Sequence, residues 1–222
     1  MPRKVRGLLL PLAALAVAAC DAPTFPAEDG GAYDFTFETD PPSVMRWPAG
    51  TTIRIYVAGG QDATRAVVLR DAFLEAAAKW ESAVLFGEYR FAEAASLAEA
   101  DVVLFWWGDS PPVDLEDCPP ERIADGLTWS CPDLAQRRLI PFPVNGQPSR
   151  VRMAMYILGS HAAQPENVKR LVLHELGHVL GIGRHAPGAA DVMAPHAPVD
   201  ELSPADRATV QVLYHVAPDI LP

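Results

Sequence analysis

The chain has 222 residues, half of them apolar, which is enough for one good hydrophobic core and too little to argue for two independent domains. Its formal charge of −10 becomes −13 once residues 1–19 are set aside, because Arg3, Lys4 and Arg6 leave 15 of the 18 basic side chains against 28 acidic ones. Such a surface repels nucleic acid and anionic lipid headgroups, so neither is expected as a partner.

The first twenty residues, MPRKVRGLLLPLAALAVAAC, join a basic start to an apolar run that is too short to span a bilayer and ends in small residues. That is the pattern of an export signal. Val17-Ala18-Ala19-Cys20 resembles the bacterial lipobox, whose cysteine becomes the lipidated first residue of the mature protein; an ordinary signal peptide cut nearby is the alternative. No later stretch is apolar for long enough to cross a membrane, so the acyl chains would be the only attachment. From Asp21 to about Pro42 the chain is rich in Asp, Glu, Gly, Pro and Thr without a period, as a tether would be. The division expected is a lipoprotein signal peptide over 1–19, a lipidated Cys20 with its tether over 20–45, and a single folded domain over 46–222.

Within that domain, Thr51 to Val57 alternates like a half-buried strand and stops at Gly59-Gly60. A helix follows, on which Leu69, Ala72, Phe73, Ala76, Ala77 and Trp80 step by three and four and draw one apolar stripe that must face a sheet. Tyr89 to Phe91 reads as a short strand and Asp101 to Trp107 as a buried one, closed by Gly108. Residues 111–147 hold many prolines and two cysteines and are expected to be an irregular excursion with one short strand over 127–130. Val151 to Leu158 returns as a strand. A helix from about Pro165 to Leu180 is stopped by Gly181, and a last helix opens with Ser203 as N-cap, Pro204 at N1 and Asp206 at N3, with Val210, Leu213 and Tyr214 on one face.

With Cys20 assigned to lipid, Cys118 and Cys131 form an even pair in a protein that leaves the reducing cytosol. A disulfide between them would stabilise the fold by about 3 kcal/mol in the chain-entropy account. Two free or metal-binding thiols are the alternative, which no CxxC spacing accompanies.

His174-Glu175-Leu176-Gly177-His178 fits the HExxH pattern, which random placement of 6 His and 12 Glu would produce about 0.01 times. Residues four apart on a helix lie one turn above each other, so His174 and His178 can aim at one point while Glu175 reaches a water without coordinating. Zinc held by three protein ligands lowers the pKa of water at its open position to about 7 and polarises a carbonyl, and Glu175 would then carry the proton to the leaving amine. Gly181 lies where the helix must end and the chain turn back; His185 comes next, and eight residues later stands Met193 in Asp191-Val192-Met193-Ala194-Pro195.

From about Trp47 to Tyr214 the chain resembles the metzincin metallopeptidases, matrixin-like within them, through the HExxHxxG segment, a Met-turn at Met193 and Leu202-Ser203-Pro204-Ala205-Asp206. The resemblance implies an α+β domain with a twisted, mixed but mostly parallel sheet on two long helices, and a small C-terminal subdomain holding the Met-turn and final helix. It further implies one catalytic Zn2+ on His174, His178 and His185, Glu175 as general base, and a protein or peptide substrate extended along the edge strand. The chain departs from the pattern in three ways. Arg184 stands where the third histidine belongs and His185 is one residue late; Ala194 and Pro195 replace the tyrosine some relatives carry; no pro-segment cysteine is available for latency. Calcium binding is left without support, and a monomer is expected.

Two other readings compete: a gluzincin arrangement with Glu201 as third ligand, and an exported lipoprotein that has lost catalysis and keeps a binding role. His161, His196 and His215 are expected to be solvated or structural, with His196 placed to line a substrate pocket if it has a role.

Overall fold

Alternating apolar residues build the first strand, β1 (Thr51–Ala58), whose Ile53 and Ile55 are buried while Arg54 faces solvent. The computed structural model describes residues 31–59, 62–120, 123–196 and 199–222. Helix α1 (Ala63–Glu81) follows β1, capped by the Asp62 carboxylate, which accepts from the backbone N–H groups of Thr64 and Arg65. The six side chains α1 buries are Leu69, Ala72, Phe73, Ala76, Ala77 and Trp80, the stripe its periodicity predicts. Strands β2 (Tyr89–Glu93), β3 (Val102–Trp107), β4 (Gly126–Asp133), β5 (Arg138–Ile140) and β6 (Met153–Leu158) complete one six-stranded sheet in the order β2-β1-β3-β6-β4-β5. Neighbours from β2 to β6 are parallel, whereas β4 runs antiparallel to β6 and β5 antiparallel to β4. Among the described residues the fold is thus α+β, with a mixed sheet and three α-helices.

The pleat divides the core in two. Ile53, Ile55, Val102, Leu104, Met153, Met155 and Ile157 point to the face covered by α1 and by α2 (Pro165–Leu180). Val103, Phe105, Ala154 and Tyr156 point to the other, beneath Val113, Phe142 and Val151 from the long excursion between β3 and β6. Both faces of β3 and β6 are therefore buried, which is why these strands are near-continuous apolar runs. Trp80 ties the two helices together by donating its indole N–H to the Leu173 carbonyl at 2.8 Å. Helix α3 (Pro204–His215) begins with a full capping box between Ser203 and Asp206.

Cys118 and Cys131 form a disulfide, with Cα atoms 6.2 Å apart, that fastens the excursion to β4. The excursion is more regular than its prolines suggest: β4 extends well beyond residues 127–130, and β5 makes a hairpin with its far end. The tether also ends earlier than composition implies. Residues 33–45 lie against the domain, with Met45 buried and bridged to Ile220. Sparse aromatics at Tyr33, Phe35 and Phe37 supply this packing, and three apolar anchors can seat a segment whose average composition is that of a linker. The expected signal peptide over 1–19 and the expected lipidation site Cys20 lie outside the described residues; among those described, no helix is long and apolar enough to cross a membrane.

Candidate metal centre

Helix α2 carries His174 and His178 one turn apart, and their Nε2 atoms lie 3.2 Å from each other. Their other nitrogens are committed elsewhere. His174 Nδ1 lies 2.7 Å from the Val192 carbonyl and His178 Nδ1 2.6 Å from the Ile182 carbonyl. A carbonyl only accepts, so each Nδ1 carries the proton and each Nε2 keeps its lone pair towards the same point. His185 completes the group: one ligand atom from each of His174, His178 and His185 lies within 4.8 Å of the others, and the three could hold a metal ion. Its ring centroid is 5.2 Å from that of His174 and 5.4 Å from that of His178. Burial lowers the His174 imidazole to about pKa 4, with the charge of His185 pushing the same way and the Val192 and Asp206 oxygens opposing it. The neutral form that burial favours is the form a ligand must have.

The turn from α2 to His185 is fixed at each residue. Gly181 has φ 113° and donates to the His178 carbonyl, while Ile182 donates to that of Gly177, the paired bonds of a Schellman motif. A side chain on Gly181 would also run into the Met45 carbonyl, so glycine is required twice over. Gly183 donates to the Phe35 carbonyl at 2.8 Å, and Arg184 pairs with Asp34 at 3.3 Å. These contacts fix the residues leading to His185 from both sides.

Below the histidines runs the turn Asp191 to Ala194. Met193 is fully buried with its sulfur against Gly177, where any larger residue on α2 would exclude it. Asp206, also fully buried, holds this turn: its carboxylate accepts from the backbone N–H of Val192 at 2.8 Å, Met193 at 3.4 Å and Ser203 at 2.9 Å, and from the Tyr33 hydroxyl at 2.8 Å. Burial beside that carboxylate drives the Tyr33 phenol well above its ordinary pKa, so it stays a donor. Sequence shows Asp206 only as a helix-capping residue; its grip on the turn beneath the histidines depends on the long-range approach of α3.

Glu175 is buried on the cleft side of α2, facing Gly126 of β4; a Cβ on Gly126 would stand 3.0 Å from its Oε1. The Glu175 backbone carbonyl accepts from Thr128 Oγ1 at 3.1 Å, joining helix to strand. The cleft measures about 850 Å³ and is lined by the three histidines, Glu175, residues 124–130 and Phe37 to Thr39, among others. His196 lines it too. His161 instead pairs with Asp125 and Asn167, and His215 with the Gln211 carbonyl, both away from the group. Glu201 is paired with Lys79 at 3.2 Å and lies with its side chain 73% exposed, outside both the group and the cleft lining, which removes the carboxylate that a gluzincin arrangement needs.

No protein-family model matches the chain, and no curated protein matches its sequence.

Proposed function

We propose that the chain is a zinc-dependent endopeptidase of metzincin, matrixin-like design, in which His174, His178 and His185 hold the metal and Glu175 moves the proton. The convergence of the three imidazoles, two with Nδ1 tied to a backbone carbonyl, carries this reading. Tetrahedral zinc with imidazole nitrogens at about 2.0–2.1 Å separates them by roughly 3.3 Å, and the Nε2 atoms of His174 and His178 stand 3.2 Å apart. An all-nitrogen set also suits zinc better than calcium or magnesium, which prefer oxygen. When bound, zinc would activate water and polarise the scissile carbonyl.

The chain's own groups divide the remaining work. Glu175 takes the proton of the attacking water and delivers it to the leaving amine, and its burial keeps competing water away. Strand β4 aligns the substrate. Leu158 donates to the Asp125 carbonyl, so by the alternation of an antiparallel ladder Asp125, Leu127 and Trp129 turn their backbone groups to β6. Those of Gly126, Thr128 and Ser130 then point to the cleft, because β5 covers only Cys131–Asp133. An extended peptide adding to that edge passes the metal site.

The purified protein is expected to cleave a peptide library, to stop on chelation and to recover with zinc. Glu175→Ala should lower hydrolysis by at least about 100-fold with zinc still bound in full. Activity above a few per cent of the parent in that variant would take the proton-transfer role from Glu175, and chelator-insensitive or absent hydrolysis in the parent would favour a binding role instead. The lipobox-like Val17 to Cys20 supports placing the enzyme in the cell envelope, held by lipid and facing exported peptides or proteins.

A further inference from the structure

We infer that residues 33–45 are a brace for the metal centre, so that docking of this segment and binding of the metal strengthen each other. The inference rests on the metal-centre reading above and concerns what holds the ligands in place. Each of the three histidines is supported by a group that this segment touches. His174 leans on the Val192 carbonyl, in a turn gripped by Asp206, and Tyr33 donates its hydroxyl to Asp206 and its backbone N–H to Thr209 at 3.0 Å. His178 leans on the Ile182 carbonyl, next to Gly181, against which the Met45 carbonyl is packed. His185 follows Gly183 and Arg184, which are bonded to Phe35 and Asp34.

Gly183 shows how close the fit is. A Cβ there would stand 2.8 Å from both Phe37 Cγ and the Thr36 carbonyl, so the segment and the ligand loop occupy adjoining space with none to spare. The stretch from Gly181 to His185 is irregular, and such a loop has conformations to lose when it orders. Contacts at two of its successive residues, Gly183 and Arg184, remove that freedom before any metal arrives. Val44 and Met45 anchor the end of the segment to Asp219 and Ile220, but its tip is lightly held: a small bridge between Phe37 and Ser43 closes it, and Glu38 and Asp40 there are exposed. Such a strip can leave the surface without unfolding the sheet. Metal affinity then depends on whether it is docked, and reciprocity requires the metal to favour docking by the same factor.

The test uses the full chain with zinc as the probe. A Glu-specific protease should cut the metal-free protein at Glu38, and saturating zinc should slow that cut by about 10- to 100-fold, the range over which outer-sphere partners change metal affinity. Glu116, beside the disulfide on the opposite face of the sheet, serves as the internal reference for global stabilisation. Gly183→Ala, whose methyl displaces the segment, and the double variant Tyr33→Phe/Asp34→Ala, which adds no atoms, should each lose zinc affinity within the same range in chelator competition. Zinc that slows Glu38 and Glu116 equally, or variants that keep parental affinity, would overturn the brace. A parent that takes up no zinc at all would instead sink the metal centre on which the brace rests.

Discussion

Two of the three imidazoles ride on a helix and the third on a loop, and the two regions obtain their geometry by different means. On α2 the spacing of His174 and His178 follows from backbone hydrogen bonds within one segment, and any sequence that forms this helix aligns them. From Gly181 to Ala194 no regular element exists, and position comes from residues outside the loop: Phe35, Met45 and Asp206. A helix tolerates no insertion between its ligands, whereas a loop held at its flanks absorbs one. His185 therefore joins the group through contacts made at Gly183 and Arg184 rather than through helical spacing.

The contrast breaks most sharply at Asp206. Its carboxylate is fully buried and accepts four hydrogen bonds, three of them from backbone N–H groups. Asp206→Ala leaves those donors buried without a partner, which should cost about 3–5 kcal/mol of stability. Denaturant unfolding would measure it, and zinc affinity should fall with it because the loop half of the site loses its anchor. A loss below about 1 kcal/mol would mean the loop is held by packing alone. The disulfide sharpens the comparison from the other side. Replacing Cys118 and Cys131 together by Ser should cost about 3 kcal/mol while zinc affinity stays at the parental value, since the staple lies across the sheet from the histidines. A fall in affinity matching that of Asp206→Ala would dissolve the distinction between a global staple and a local anchor.

The same contrast decides what was legible in advance. The α1 stripe, the ends of α2 and the Ser203 cap could be read because each is written within a few residues of itself. His174, Glu175, His178 and Gly181 belong to that class, as a motif within eight residues. Strand β5 and the far end of β4 were hidden because Pro132 and Pro141 sit in and beside a hairpin that pairs only at its margin. The placement of residues 33–45 was hidden for a related reason: their partners are Thr209, Asp206, Gly183 and Ile220, all more than 140 positions away. Average composition describes the denatured chain's preference for a linker, and three partly buried aromatics packed against the core override it.

The smallest expected effect reads the burial of His174 through pH. In the metal-free protein His174 titrates at about 4, against 6.5 for an unhindered imidazole, chiefly because burial disfavours its charge. Well above pH 6.5 the group is neutral in both folded and unfolded chains and contributes no pH dependence. As pH falls below 6.5 the unfolded chain takes up a proton that the folded chain refuses, so stability declines until the folded group also titrates near 4. By pH 5.5 the loss should reach about 1.4 kcal/mol, read from the urea midpoint of metal-free protein. His174→Gln removes the titrating group and should flatten that part of the profile. Zinc should also flatten it, because an imidazole engaged with metal cannot take the proton until the metal leaves. A slope that survives His174→Gln would assign the titration to another group and leave the burial of His174 without a measurable consequence for folding.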